Sequence, residues 1–228
     1  MNINVLHLIE GARRARGLAV VIDVFRAFST ACYVMANGAR RILPAAALDE
    51  AYRLKRGNPE FVLMGERHGL IQPGFDFGNS PTHVRGVDFS GRTVVLTTSA
   101  GTQGLLNAGG ADELLAGSFV NAAAVAAYIR RSGARDVSLV CMGYEAEQPA
   151  DEDEFCAEYI AGLLEGRATD LAGMVGRLRA GSGRRFLDGA SRDSMSETDF
   201  ELCLDFDRFD FVLRAGRDPV YGLVLEKT

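Results

Sequence analysis

Asp23 is the only charge inside an otherwise apolar run, residues 18–25 (LAVVIDVF). A lone buried carboxylate is costly unless donors or a cation meet it. Arg26 follows three residues later, and the hydroxyls of Ser29 and Thr30 fall where a helix is expected to begin. An acid, a guanidinium and two hydroxyls at one strand-to-helix junction can hold a metal-neutralised phosphate. They can equally form a structural Asp23–Arg26 ion pair with Ser29 as a helix cap. A second such place is Thr97-Thr98-Ser99-Ala100-Gly101-Thr102, where hydroxyls and a glycine surround a turn. There a backbone nest can take an oxyanion through Thr98, Ser99, Gly101 and Thr102, or the hydroxyls can merely cap a helix. A third is Asp151-Glu152-Asp153-Glu154, either a first helical turn favoured by the macrodipole or a site for a hard cation. A fourth is the glycine- and proline-rich stretch 65–81, which carries Arg67, His68, Asp76, Asn79 and Ser80. Arg67 can fork onto phosphate, whereas Asp76 and Asn79 more often shape turns.

Those residues need a frame. Runs 18–25, 61–65, 93–97 (TVVLT) and 137–142 (VSLVCM) are short, apolar and rich in valine or leucine, as strands covered on both faces are. Segments 40–44 and 113–116 are shorter strand candidates. Helices are expected over 29–37, 48–56, 101–108, 122–131 and 152–164, several stopped by glycine. This alternation predicts a single α/β domain over residues 1–228, with a mainly parallel central sheet flanked by helices. Ligands of such sheets settle beyond the carboxyl ends of strands, where helix N-termini favour anions. The last third differs: 170–179 and 199–206 are expected to be helical. Segments 209–213 and 220–225 are expected to pair as an antiparallel edge around Arg217-Asp218-Pro219.

Composition narrows the partners. With 228 residues and a net charge of −5, the chain has no basic block of the kind nucleic-acid binding needs. No stretch approaches the length of a membrane span, and residues 1–10 do not read as a signal peptide, so a cytoplasmic protein is expected. Cys32, Cys141, Cys156 and Cys203 lack CxxC spacing and read as buried free thiols. His7, His68 and His83 show no zinc-type spacing beside an acid, so no zinc site is expected. The sequence does not specify whether the chain forms a homo-oligomer.

The segments VVIDVFRAFSTACYVMANGA, GERHGLIQPGFDFGNSP, LTTSAGTQGL and EDEFCAEYIAGLL, with a fainter DFELCLDFDRFDFV, resemble in order the 2-phosphosulfolactate phosphatase (ComB) family. The resemblance runs from about residue 18 to residue 213. It implies a Mg²⁺-dependent phosphatase that converts 2-phosphosulfolactate to 3-sulfolactate and phosphate, a step toward coenzyme M, on an α/β fold of its own type. Carried over by position, Asp23 and Arg26 match the first motif, and Glu66 and Arg67 the GER segment. Asp76, Asn79 and Ser80 match GFDFGNSP, and Glu152 and Asp153 the acidic pair. Many members read TTTNGT where this chain has TTSAGT, so Ala100 supplies no asparagine amide.

On that resemblance, Asp23, Glu152 and Asp153 are expected to ligate Mg²⁺. Phosphate is expected to bridge the metal and the 99–102 turn, while Arg26 and Arg67 neutralise the remaining charge. Water is the expected nucleophile. Phosphatases that form an aspartyl phosphate carry a second acid two residues on, where this chain has Phe25. A phosphatase of another small phosphorylated hydroxy acid, or a non-catalytic phosphometabolite-binding protein on the same fold, are the rival readings.

Overall fold

The computed structural model describes residues 1–187 and 195–228. In chain order the elements are β1 Asn2–His7, α1 Leu8–Arg14, β2 Leu18–Ile22, α2 Ala27–Ala36, β3 Arg41–Pro44, α3 Leu48–Gly57, β4 Val62–Gly65, α4 Pro81–Val84 and β5 Thr93–Thr97. Then come α5 Gly101–Asn107, β6 Glu113–Gly117, α6 Ala122–Ser132, β7 Asp136–Cys141, α7 Asp151–Glu165, α8 Leu171–Ala180, α9 Glu197–Cys203, β8 Leu213–Asp218 and β9 Gly222–Lys227.

The strands form one sheet in the order β1-β7-β2-β6-β8-β9-β3-β5-β4. β1, β7, β2 and β6 are parallel to one another, as are β3, β5 and β4. The α/β class with a mainly parallel sheet is therefore as expected. The antiparallel hairpin β8–β9 does not form an edge. It lies inside the sheet and joins the two parallel sets, pairing with β6 on one side and β3 on the other. Each of those steps is antiparallel, so the two sets run in opposite senses. A flat sheet would put their carboxyl ends on opposite margins. They meet instead at one cavity, and the ladders joining the two sets are short: Leu115 with Arg214 and Ala116 with Leu213 on one side, Ile42 with Leu225 on the other.

Side-chain alternation along the strands sets the layers. Ala19 and Val21 of β2 share a core with Ile42, Met64, Val94 and Leu96 of the second set, packed around Phe28, Ala31 and Val34 of α2. Val20 and Ile22 face the other way, onto α6, α7, α8 and α9. Leu43, Leu63 and Val95 pack on α3. Helix α2 is thus buried between the two halves, and every residue from Ala27 to Met35 is buried.

Several boundaries differ from the sequence reading. β1 carries no clean alternation, since only Ile3 and Leu6 are even partly buried, and the ladder to β7 makes it a strand. β2 stops at Ile22, so Asp23 stands past the strand end rather than inside it. The expected strand 209–213 begins only at Leu213, because Phe209 and Phe211 turn into the core before the hairpin starts. The expected helix 199–206 starts earlier and ends at Cys203.

Gly65 closes β4 with φ +146°, and a Cβ there would lie 1.9 Å from the Thr97 carbonyl oxygen of β5. No L side chain fits that approach. Gly65→Ala is expected to destabilise the fold by about 3 kcal/mol from combined strain and overpacking. Differential scanning calorimetry is expected to show a midpoint lowered by roughly 6–12 °C.

Candidate active site

The turns after β2, β4, β5 and β7 converge on one cavity. Asp23 is the first residue beyond β2. Its Oδ1 accepts the Ala27 N–H at 3.1 Å, and a Cβ on Gly101 would stand 2.8 Å from its Oδ2, so glycine is what lets the β5 turn close on it. Burial pushes the Asp23 carboxyl from an ordinary 3.8 to about 7; the charges of Glu66 and Glu152 add to this, and the N–H groups of Ala27 and Gly101 oppose it.

Asp153, in the first turn of α7, clamps two turns together. Its Oδ1 accepts Val24 N–H at 2.9 Å and its Oδ2 accepts Gly143 N–H at 2.8 Å. Burial first, then Asp23 and Glu152, raise its carboxyl well above the usual range. Glu152 is nearly fully buried. Its Oε1 accepts from Arg185 at 3.0 Å, and its Oε2 is buried with no protein partner. Glu66 follows Gly65 directly: Oε1 accepts Ser99 N–H at 2.8 Å, and Oε2 accepts Gly69 N–H at 2.8 Å and the Ser99 hydroxyl at 3.2 Å.

Arg26 lines the cavity, and one guanidinium nitrogen donates to Asp199 Oδ2 at 2.7 Å. The other Asp199 oxygen accepts the Ser80 hydroxyl at 2.7 Å and Thr82 N–H at 3.0 Å. A fully satisfied buried carboxylate thus fixes Arg26 from behind, so the postulated Asp23–Arg26 ion pair gives way to an Arg26–Asp199 pair. Asn79 also lines the cavity, with its Oδ1 buried and unpartnered.

Of the residues singled out from sequence, Asp23, Arg26, Asn79 and Ser99 reach the cavity wall, with Glu152 and Asp153 packed behind Arg185 and Asp23. Others do not. Ser29 donates to the Val24 carbonyl at 2.7 Å and shares a 2.6 Å bond with Ser118; both it and Thr30 are fully buried. Thr98 and Thr102 bond each other's backbone across the start of α5. Short hydroxyl side chains at helix starts satisfy the local backbone first, as Ser29, Thr98 and Thr102 do, whereas the Thr30 hydroxyl is buried without a partner and away from the cavity wall. Ser80 acts through Asp199 rather than on the cavity. Arg67 turns under the loop, its guanidinium on the Glu66 carbonyl at 2.6 Å and the Thr97 hydroxyl at 2.7 Å.

The 99–102 turn does bind carboxylate oxygens, but they are the protein's own: Glu66 takes the Ser99 N–H and Asp23 the Gly101 N–H. Asp199 and Arg185 went unrecognised in sequence, and Glu66 was matched to the GER segment but given no role. Glu66 stood one residue from the arginine chosen instead. Asp199 carried a signal only in the faint fifth segment. Arg185 comes from the 3-10 turn Ser182–Phe186 and stacks near Phe25, Tyr144 and Phe186 at 5.8, 5.0 and 5.4 Å. Scattered arginines read as solvated, so nothing flagged it.

The donor set fits a hard divalent cation in part. The unpartnered Glu152 Oε2 and the raised Asp23 carboxyl are oxygen donors that nothing on the protein satisfies fully. Among the described residues, however, Asp23, Glu152 and Asp153 do not bring their oxygens within 4.8 Å of one another. Each Asp153 oxygen accepts one backbone N–H, which fixes its carboxylate between the β2 and β7 turns. Mg²⁺ needs only one or two carboxylates, with water and phosphate completing its shell.

A family model described as 2-phosphosulpholactate phosphatase matches residues 4–217. The chain belongs to the 2-phosphosulfolactate phosphatase family. This is a family of phosphoric monoester hydrolases. A relative from Symbiobacterium thermophilum named "Probable 2-phosphosulfolactate phosphatase" is 39% identical over 166 residues, covering 70% of each chain. One of the same name from Bacillus subtilis is 33% identical over 202 residues, covering 87% of each, and one from Thermoplasma volcanium is 31% identical over 193 residues, covering 85% of this chain and 86% of its own. No helix among the described residues is long and apolar enough to cross a membrane.

Between pH about 4 and 7 the folded chain holds a proton on Asp23 that the unfolded chain has lost. Unfolding free energy in chelator is therefore expected to fall as pH rises through that window, by up to about 1.4 kcal/mol per unit for one proton. Asp153, raised likewise, contributes to the same slope, so Asp23→Asn is expected to reduce it without removing it, as read by urea melts at stepped pH.

Proposed function

We propose that this chain hydrolyses the phosphate ester of 2-phosphosulfolactate, giving 3-sulfolactate and inorganic phosphate, with Mg²⁺ bound at the cavity. The carrying observation is the convergence of buried Asp23 and Glu66 with Arg26 and Arg185 on one cavity, with buried Glu152 directly behind Arg185. The substrate brings a phosphate, a carboxylate and a sulfonate. Three acids and two arginines would repel such an anion, so the carboxylate surplus favours a divalent cation that reverses the local charge. Asp23 and Glu152 Oε2 would hold that cation. When bound it supplies charge neutralisation and a more acidic water.

The chain's own groups then divide the work. Arg26, braced by Asp199, meets phosphoryl oxygens whose charge spreads in the transition state. Arg185 is, among the described residues, the second arginine of the cavity and faces the carboxylate or sulfonate, held between the rings of Tyr144 and Phe186. Asn79 presents an unpartnered carbonyl to a substrate hydrogen-bond donor or a bound water. Glu66 holds the β5 turn against the cavity. Water attacks phosphorus, the bond from phosphorus to the C2 oxygen breaks, and the oxygen leaves to be protonated. In this proposal water rather than Asp23 is the nucleophile, since one Asp23 oxygen is held by the Ala27 N–H and Phe25 stands where aspartyl-phosphate enzymes carry a second acid. Such a step belongs to coenzyme M-type biosynthesis, and we place it in the cytoplasm.

Asp23→Asn is expected to lower kcat at least about 100-fold with the fold retained, as loss of one directed electrostatic contact does. Chelation is expected to abolish phosphate release and Mg²⁺ to restore it. A panel of phosphorylated hydroxy acids with and without a sulfonate is expected to show the largest kcat/KM for 2-phosphosulfolactate. Equal rates across the panel would remove the substrate assignment, and a labelled acyl-phosphate on Asp23 would remove direct water attack. Arg185→Met is expected to raise KM at least about 10-fold, one charge-assisted contact.

A further inference from the structure

On the outer half of the sheet, β1 and β7 pair in parallel with His7 opposite Cys141 at their carboxyl ends. Register partners on neighbouring strands project to the same face. Above them lies the first turn of α7, and Glu154 reaches down so that its Oε1 lies 2.8 Å from His7 Nδ1. Donor atoms of His7, Cys141 and Glu154 all lie within 4.8 Å of one another. Among the described residues no other group of three or more His, Cys, Asp and Glu side chains does so, the acids of the catalytic cavity included.

We propose that His7, Cys141 and Glu154 form a binding site for a thiophilic divalent cation of the Zn²⁺ class, separate from the catalytic cavity. The donors decide the class. One sulfur, one imidazole nitrogen and one carboxylate oxygen are the borderline-soft set that Zn²⁺ takes, and that Mg²⁺ and Ca²⁺ do not. A thiolate and a carboxylate beside a neutral imidazole carry two negative charges, which one divalent cation cancels. Binding releases the Cys141 Sγ proton to solvent. Cys141 is buried at the floor, while His7 and Glu154 are partly exposed, with side chains 47% and 35% accessible. That opening admits the ion and leaves a fourth position for water. The ladder holds two ligands in place, so little ordering is needed beyond a small parting of the His7–Glu154 contact.

The site touches the catalytic framework. Cys141 Sγ donates to the Asp153 carbonyl at 3.4 Å, and Glu154 adjoins Asp153 in the α7 turn that carries Glu152. A cation here ties β1 and β7 to that turn and stabilises the folded chain by mass action.

Cobalt titration of the full chain, with Mg²⁺ saturating the catalytic cavity, tests this. Co²⁺ is expected to bind one-to-one and give a thiolate-to-metal charge-transfer absorption. Zn²⁺ is expected to abolish it by competition. Cys141→Ser is expected to lose the band, and His7→Ala, on a half-exposed side chain where folding is not at stake, to weaken Co²⁺ and Zn²⁺ binding at least about 10-fold, one ligand's loss. Mg²⁺-supported hydrolysis by His7→Ala is expected within about twofold of the parent without Zn²⁺. Absence of the band, its survival in Cys141→Ser, or unchanged affinity in His7→Ala would each overturn the site. None of these outcomes depends on the substrate assignment.

Discussion

Five carboxylates, those of Asp23, Glu66, Glu152, Asp153 and Asp199, are each more than nine-tenths removed from water. Every such burial is costly in isolation. The turns of this fold answer to that constraint. Backbone N–H groups from four turns are aimed at Asp23, Glu66 and Asp153. Arginines are set on Asp199 and Glu152. The compensation stops short at Asp23, whose carboxyl still rises to about 7, at Asp153, raised likewise, and at the unpartnered oxygen of Glu152. Where the protein leaves its own charge unanswered is where an external cation and its anionic companion have most to gain.

That arrangement needs strand ends from both parallel sets at one place. An antiparallel hairpin joins the opposite-running sets through short ladders, and α2 packs in the core they share. Helix α2 also carries the Asp23–Arg26 junction at its start, so core packing and site geometry are one structural fact. Asp199 extends this to α9: a residue remote in sequence fixes the direction of Arg26.

The same packing explains which sequence signals transferred. Apolar runs became strands because both sheet faces are covered. A lone acid in such a run announced Asp23, since only a compensated carboxylate survives there. Hydroxyls did not transfer, because Ser29, Thr98 and Thr102 had a nearer use in the backbone of their own helix starts. Arg67 and Glu66 were adjacent in sequence, and the direction of the chain after Gly65 decided which faced inward. The expectation that no zinc-type site exists rested on spacing along the chain, and His7, Cys141 and Glu154 are brought together by a ladder and a helix instead.

By itself the sequence determined the α/β class, the family and the four junctions that gather at one cavity, because these depend on local periodicity and on residue types within short segments. The tertiary structure alone decided the position of the hairpin inside the sheet, the partners of each buried charge, and the participation of Asp199 and Arg185. Those depend on which distant backbone donors and guanidinium groups arrive beside a carboxylate. Electrostatic compensation acts across a few ångströms of space, whatever the separation along the chain.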